Sequence, residues 1–131
     1  MSDFNDDGRC FVCGPENPLG LKLEFASVPG DGVEATVRFP AHLQGWAGVV
    51  HGGLLATVLD ETLIKTAAAK GLKCVTAEIT VRFRQPARTD HSYRARGRLV
   101  EVFTRLVRAE SELVDEQGRP VASASGKLFV T

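Results

Sequence analysis

The sequence predicts an α+β fold in which an antiparallel β-sheet wraps around one long central α-helix. One apolar helical stretch covers residues 52–69 of the 131-residue chain. The segments on both sides of it alternate between apolar and polar side chains, which is typical of strands that are half buried. A sheet with one apolar face and a single helix to cover that face wraps around the helix.

The predicted helix begins at Gly52 and ends near residue 69. Leu, Ala and Val dominate it and it contains no proline, while Lys70 and Gly71 supply a terminal cation and a glycine stop. It is apolar around most of its circumference, so the sequence predicts a helix buried inside the domain. Asp60 lies on a face with almost no other charge.

The strand predictions follow chain order. A hairpin of two strands precedes the helix and turns at residues 29–32, where proline and glycine are concentrated. After the helix, apolar residues from Val75 to Phe83 alternate with polar ones until Pro86 ends the strand. The strands are predicted at residues 20–28, 33–39, 75–83, 92–103, 105–114 and a last stretch ending near residue 130.

Length and composition indicate a single domain, residues 1–131, without repeats or linkers. Sixteen basic and sixteen acidic residues cancel, which disfavours nucleic acid as a partner. No apolar stretch reaches membrane-spanning length, so we expect no membrane partner. The first seven residues are acidic, unlike a signal peptide, and the expected location is the cytoplasm.

The residues with the clearest chemical meaning are Gly52, Gly53 and Asp60. Two successive glycines mark a tight turn or a place where another group approaches the backbone. Free N–H groups at a helix start favour an anion, such as the oxyanion formed when a carbonyl is attacked. Asp60 follows eight residues later and is costly to bury unless the protein uses it or satisfies it with hydrogen bonds. A structural role as an acceptor for a nearby loop is the alternative.

The spacing of these residues also predicts an assembly. Eight residues of helix separate Gly52 from Asp60 by about 12 Å along the axis. A general base and an oxyanion donor must each come within about 3 Å of atoms at one reacting carbon. The simplest arrangement takes the donor from one subunit and the acid from another. We therefore expect a homodimer with shared active sites.

Cys10 and Cys13 form a Cys-x-x-Cys-Gly sequence that is compatible with metal binding or redox chemistry. A structural zinc site uses four ligands, and the remaining candidates, Cys74 and the three histidines, lack a second paired spacing. A redox motif would begin a helix, whereas prolines follow here. The expectation is therefore no metal and reduced, structural thiols.

The residues around the helix start resemble those of the hotdog-fold acyl-CoA thioesterases of the PaaI-like group. The resemblance rests on Gln44-Gly45-Trp46, on His51-Gly52-Gly53 and on Asp60 at its offset. The predicted N-terminal entry segment covers residues 1–19, and residues 10–14 through 17–21 also resemble the entry segment of such proteins. Residues 76–78, leading to residues 82–86, resemble their first strand after the helix. The resemblance implies a hotdog fold, dimers that often pair into tetramers, and hydrolysis of an acyl-CoA thioester without a metal cofactor.

The resemblance also implies residue roles. Gly52 matches the backbone donor to the thioester oxygen, with Gly53 beside it, and Asp60 matches the acid that acts as general base or, in some members, as nucleophile. His51 matches a residue that shapes the turn and contacts substrate. Thr76 matches a hydroxyl that helps orient water, although an ordinary strand threonine is an equal alternative. Relatives often carry an amide six residues before the histidine, where this chain has Gly45 and the amide, Gln44, is one residue earlier.

Substrate contacts are predicted less specifically. Trp46 is a candidate wall of the acyl pocket, with packing in the core as the alternative. Arginine suits phosphate geometry, so Arg82, Arg84 and Arg88 are candidates to bind the CoA phosphates, and charge alternation on a solvated strand explains them equally well. Two other functions stay open, namely a hotdog hydratase or dehydratase acting on acyl-CoA, and an acyl-CoA-binding module without turnover.

Overall fold

The computed structural model of the chain describes residues 4–131, which form one sheet packed against one long helix. The helix α1 is Gly52–Ala68, and a short 3₁₀ helix, Ala41–Leu43, precedes it. The strands are β1 (Ala26–Val28), β2 (Gly32–Arg38), β3 (Cys74–Phe83), β4 (Ser92–Val102), β5 (Leu106–Val114) and β6 (Pro120–Val130).

The sheet has six strands in the order β1-β2-β4-β5-β6-β3, and all neighbouring pairs are antiparallel. The predicted α+β class, with one sheet wrapped around one helix, is confirmed. The strand that follows the helix, β3, crosses to the far side of the sheet and pairs only with β6 in the described part of the chain. Its other edge has no strand partner among residues 4–131.

The core lies between α1 and the inner face of the sheet. The helix residues that are buried there are Leu55, Val58, Leu59, Thr62, Leu63, Thr66 and Ala67. The buried hydroxyls are satisfied, because Thr62 and Thr66 donate to carbonyls one turn back and Ser111 Oγ donates to the carbonyl of Leu59 at 3.0 Å. At Gly97 a side chain would collide with Thr66 Oγ1, so a glycine allows β4 to approach the helix closely.

The predicted strand at residues 20–28 is wrong over most of its length, since only Ala26–Val28 is a strand. The backbone N–H groups of Leu21 and Leu23 donate to the carbonyls of Phe11 and Val12, both at 2.9 Å. Lys22 has a φ of 54°, which is outside the β region. Residues 20–25 therefore bond to the N-terminal segment instead of extending the hairpin.

The helix, which the sequence predicts to be buried inside the domain, is buried on the side that packs against the sheet. Because one sheet covers one side of a helix, a second side is left partly open. We call it the uncovered stripe: Gly53, which is exposed, and the half-buried Ala56, Thr57, Asp60 and Ile64. In the described residues, no helix is long and apolar enough to cross a bilayer.

Candidate active site

The start of α1 presents one free backbone donor. His51 is the N-cap, and its Nδ1 accepts a hydrogen bond from the Gly53 N–H at 3.0 Å. The Gly53 amide is thus occupied and is not available to a ligand. The Gly52 N–H, by contrast, has no acceptor among residues 4–131. It lies at the positive end of the helix dipole, where an anion is favoured.

The tautomer of His51 follows from this cap. A ring nitrogen that accepts a hydrogen bond carries no proton, so a neutral His51 carries its proton on Nε2. A doubly protonated ring would lose the cap, because Nδ1 would then become a donor. The histidine is exposed, and its position fixes the turn that leaves the Gly52 amide open.

The loop before the helix is closed by Gln44. Its Oε1 accepts from the Gly48 N–H at 2.9 Å, and the backbone N–H of Gly45 donates to the Val49 carbonyl at 2.8 Å. The side chain of Gln44 is exposed and serves the loop itself in this chain. Trp46, at the tip of the loop, is 86% exposed, so the alternative of core packing is wrong. Its predicted role as a pocket wall stays a prediction.

Phe83 is a site residue that the sequence reasoning missed. A Cβ built on Gly52 would lie 3.7 Å from the Phe83 ring, so this ring stands beside the free amide. Phe83 is the last residue of β3 and is 54% exposed. Phe83 pairs with Ala122 of β6, which faces the helix. Knowledge of this strand register would have shown that Phe83 lies on the helix side of the sheet.

Asp60 and Thr76 are in direct contact. Thr76 Oγ1 donates to Asp60 Oδ1 at 2.6 Å, and both side chains are partly buried. No other hydrogen bond to the Asp60 carboxylate occurs within the described part of the chain, so Oδ2 is open to a water or a substrate. The threonine fixes the direction of the carboxylate and leaves its second oxygen free.

A β-bulge brings Thr76 to the helix. Thr76 pairs with Leu128 and Glu78 pairs with Lys127, so Ala77 is an extra residue in β3. Simple alternation would place Thr76 on the outer face with Glu78 and Arg82. The bulge turns it to the inner face, which is a known use of bulges near active sites.

The three predicted arginines are separated by the structure. Arg82 lies on the outer face of the sheet, where it lines a groove of about 600 Å³ together with Arg96 and Glu112, and it is not brought to the helix start. Arg84 and Arg88 are exposed in the segment that follows β3. This segment packs along the loop before α1, since Val49 bridges to Arg88 and the Val50 N–H donates to the Ala87 carbonyl at 2.9 Å.

Comparison with known proteins places the chain in a family. The family model of the thioesterase superfamily matches residues 47–122, which is more than half of the chain. A crystallised thioesterase superfamily protein is similar at 29% identity and a TM-score of 0.87; the alignment covers 95% of this chain but only 61% of that one. No curated protein gave a significant match.

Two further solved structures share the fold. The PaaI protein of Escherichia coli, from the phenylacetic acid degradation operon, is 21% identical, with a TM-score of 0.78 over 85% of this chain and 80% of its own. A hypothetical thioesterase of Streptococcus pneumoniae, solved with coenzyme A, is 22% identical, with a TM-score of 0.77 over 83% and 85%. The pneumococcal protein was also solved as an aspartate-to-alanine and as a threonine-to-alanine variant, at positions 16 residues apart. The predicted hotdog fold is confirmed.

Proposed function

Since this chain belongs to the thioesterase superfamily, we propose that it hydrolyses an acyl-CoA thioester to the free acid and CoA. The contact between Asp60 and Thr76 carries the proposal. These residues are 16 positions apart, the same separation as the two residues replaced in the pneumococcal thioesterase. That protein was solved with coenzyme A, which supports a CoA ester as the substrate class.

The Gly52 amide is the proposed oxyanion donor. The thioester carbonyl accepts from the free N–H, and the bond strengthens as the oxygen gains charge in the tetrahedral transition state. Loss of one such donor typically costs about 10²–10³ in rate. The ring of Phe83 beside this amide limits the space for water around the oxygen.

Asp60 is the proposed general base. It takes a proton from water through its open oxygen, and the hydroxide adds to the carbonyl carbon. The C–S bond then breaks, CoA leaves as a thiolate and a proton from solvent completes the thiol. A thiolate is a good leaving group, so the reaction needs no strong general acid. Thr76 holds the carboxylate in position and keeps its first oxygen occupied.

The site is proposed to be shared between two subunits. Gly52 and Asp60 remain on one straight helix in which about 12 Å separates them along the axis. The uncovered stripe and the unpaired edge of β3 adjoin Asp60 and supply a surface for a second copy. In such a dimer, the Asp60 of one subunit meets the Gly52 of the other.

CoA is proposed to bind along the segment after β3. Arg84 and Arg88 are exposed, and neither forms an ion pair with another residue of the described chain, so both are available to phosphates. Arg82 faces the other side of the sheet and is the weakest of the three candidates. His51, which already caps the helix, is poorly placed for the acid and base roles of a hydratase.

The first experiment measures thiol release from short, medium and phenylacetyl-type acyl-CoAs. We expect turnover by the wild type and a loss of about 10²–10⁴ for Asp60→Asn, the usual contribution of a general base. Thr80→Val replaces a β3 threonine on the outer face of the sheet, away from Asp60. This control variant should keep full turnover. Binding of CoA esters without thiol release from any of them would replace the thioesterase with a binding module.

The helix start offers a matched pair of variants. Gly52 is the first helical residue, where proline is tolerated, and the preceding residue has the extended ψ of 131° that proline requires. Gly52→Pro removes the N–H, and Gly52→Ala keeps it. We expect a loss of about 10²–10³ for the proline variant and a much smaller loss for the alanine variant. Equal rates for the two would eliminate the amide as a donor.

Mixed dimers test the sharing of sites. Asp60→Asn and Gly52→Pro chains are each expected to be inactive alone. When subunits exchange, a mixed dimer contains one site with both an intact Gly52 and an intact Asp60, so thiol release should return after mixing. If subunit exchange is demonstrated with labelled chains and no activity returns, the two groups do not act across the interface.

A further inference from the structure

Residues 8–23 are held against α1 without regular secondary structure. Residues 8–23 fold through a turn in which the Gly14 N–H donates to the Cys10 carbonyl at 2.9 Å. Val12 and Leu23 are each only 6% exposed and anchor the segment to the core. The turn brings both cysteines of the Cys-x-x-Cys-Gly sequence to the side of the helix that carries Glu61.

Three potential ligand atoms meet at this point. The sulfurs of Cys10 and Cys13 and a carboxylate oxygen of Glu61 all lie within 4.8 Å of one another. Cys10 Sγ is 3.5 Å from Glu61 Oε2. A tetrahedral zinc with Zn–S near 2.3 Å and Zn–O near 2.0 Å requires an S to O separation of about 3.5 Å. The separation of Cys10 Sγ from Glu61 Oε2 therefore matches that of two zinc ligands, and the Cys13 sulfur lies within 4.8 Å of both atoms.

The turn directs two backbone donors at one of the two sulfurs. The backbone N–H groups of Val12 and Cys13 each donate to Cys10 Sγ at 3.4 Å. Such bonds stabilise negative charge on a sulfur and orient it as a ligand. At Gly14 a side chain would collide with the Cys10 amide nitrogen and lie 2.5 Å from the Gly8 carbonyl oxygen, so the turn requires a glycine after the second cysteine.

We propose that Cys10, Cys13 and Glu61 bind one Zn²⁺, with a water as the fourth ligand. This site is separate from the proposed catalytic groups, because Glu61 projects about 100° away from Asp60 around the helix axis. The ion would link residues 10–13 to α1 through three protein ligands and keep its fourth position open, unlike a closed structural site with four protein ligands. Of the other candidates named from the sequence, Cys74, His42, His51 and His91 do not join the cluster within residues 4–131. The sequence alone predicted structural thiols without a metal. In this proposal the two thiols are metal ligands, and a carboxylate is the third protein ligand.

Charge balance favours the same ion. Two thiolates, one carboxylate and Zn²⁺ leave one net negative charge, which the adjacent Lys65 offsets. Lys65 forms a side-chain hydrogen bond with Cys13, and a thiol loses its proton when it binds zinc.

The test is titration of the reduced, metal-free protein with Co²⁺, followed by displacement with Zn²⁺. Cobalt bound to thiolates gives a charge-transfer absorption in the near ultraviolet, and we expect it to saturate at one ion per chain. Cys13→Ser and Cys10→Ser should lose the absorption. Cys74→Ser, which removes a half-buried cysteine outside the cluster, should retain it.

Glu61→Gln separates the metal site from a simple folding defect. We expect this variant to keep the thiolate absorption at saturating cobalt but to bind Zn²⁺ at least about 10-fold more weakly. Replacing a residue that only hydrogen-bonds to a metal ligand already lowers metal affinity by about that factor. The proposal is overturned if the wild type shows no charge-transfer absorption, if Cys13→Ser retains it, or if Glu61→Gln binds Zn²⁺ as tightly as the wild type. All of these readouts are independent of thioester hydrolysis.

Discussion

The two sides of α1 differ in what surrounds them. On the covered side, seven residues are buried against the sheet and every hydroxyl is satisfied within the chain. On the uncovered stripe, small residues accompany Asp60, whose carboxylate has one oxygen bonded to Thr76 and one open. The covered side is typical of a helix that stabilises a fold. The uncovered side has the open polar atoms and the small residues expected of a surface that binds something.

The residues on the two sides of this helix are therefore expected to contribute to different properties, stability on the covered side and function on the uncovered side. A buried apolar residue contributes to the free energy of unfolding through contacts with its own chain. A half-buried carboxylate with one unsatisfied oxygen contributes little to the free energy of unfolding. Its open oxygen forms a hydrogen bond only when a ligand or a partner binds. Substitutions on the two sides should therefore change different quantities, and four predictions examine this.

Asp60→Asn should give the largest effect. Thiol release is expected to fall by about 10²–10⁴, while the free energy of unfolding changes by less than about 1 kcal/mol, because the amide can still accept from Thr76. Denaturant unfolding and thiol release, measured on the same preparation, check both parts. A large loss of stability would place Asp60 with the structural residues.

Leu63→Ala tests the covered side. Leu63 is fully buried, and its side chain lies where a Cβ on Gly126 would approach within 2.6 Å. Truncation should lower the free energy of unfolding by about 2–5 kcal/mol. Below the unfolding transition, the rate per folded chain should stay close to that of the wild type. A selective loss of turnover in the folded variant would contradict the separation.

Thr76→Val tests the contact that links the strand to the stripe. The variant keeps the shape of the side chain but loses the hydrogen bond to Asp60. We expect about a 10-fold fall in kcat, equivalent to the 1.4 kcal/mol that such a bond to a charged group contributes. Thr76→Ser should retain most of the rate, and steady-state kinetics of the pair would reveal whether the hydroxyl itself matters.

His51→Ala should give the smallest effect. Removing an N-cap costs about 1 kcal/mol of stability, and the Gly53 N–H then becomes free. Thermal or denaturant unfolding measures the loss, and His42→Ala, an exposed histidine nearby, is the control that should be neutral. An unchanged unfolding curve for His51→Ala would mean that the cap does not contribute.

Periodicity predicted most of the fold. The helix was expected at residues 52–69 and is Gly52–Ala68, and five of the strand predictions agree with β2 to β6 within about two residues at the predicted boundaries. Residues 20–25 could not be placed because their partner is the irregular N-terminal segment, and alternation contains no information about such a partner. The open side of α1 was missed for a similar reason, since an apolar helix face does not reveal which chain covers it.

The sequence predicted the parts of the candidate site that depend only on residue type and on position along one helix. The fixed offset of Asp60 from Gly52 is such a part, and it was visible in the sequence. The direction of Thr76 depends on a bulge, and the presence of Phe83 beside Gly52 depends on the register of β3 with β6. Both are tertiary facts that the residues of the strand alone do not encode. The roles of Asp60, Gly52 and Thr76 in turnover stay predictions.

The extra residue in β3 has a consequence for finding similar sites in other sequences. Thr76 and Phe83 both face the helix although seven positions separate them, an odd number, whereas residues on one face of a regular strand are an even number apart. A search pattern written for regular alternation would discard this pair. Patterns for such sites should therefore allow the hydroxyl and the aromatic residue to be either six or seven positions apart.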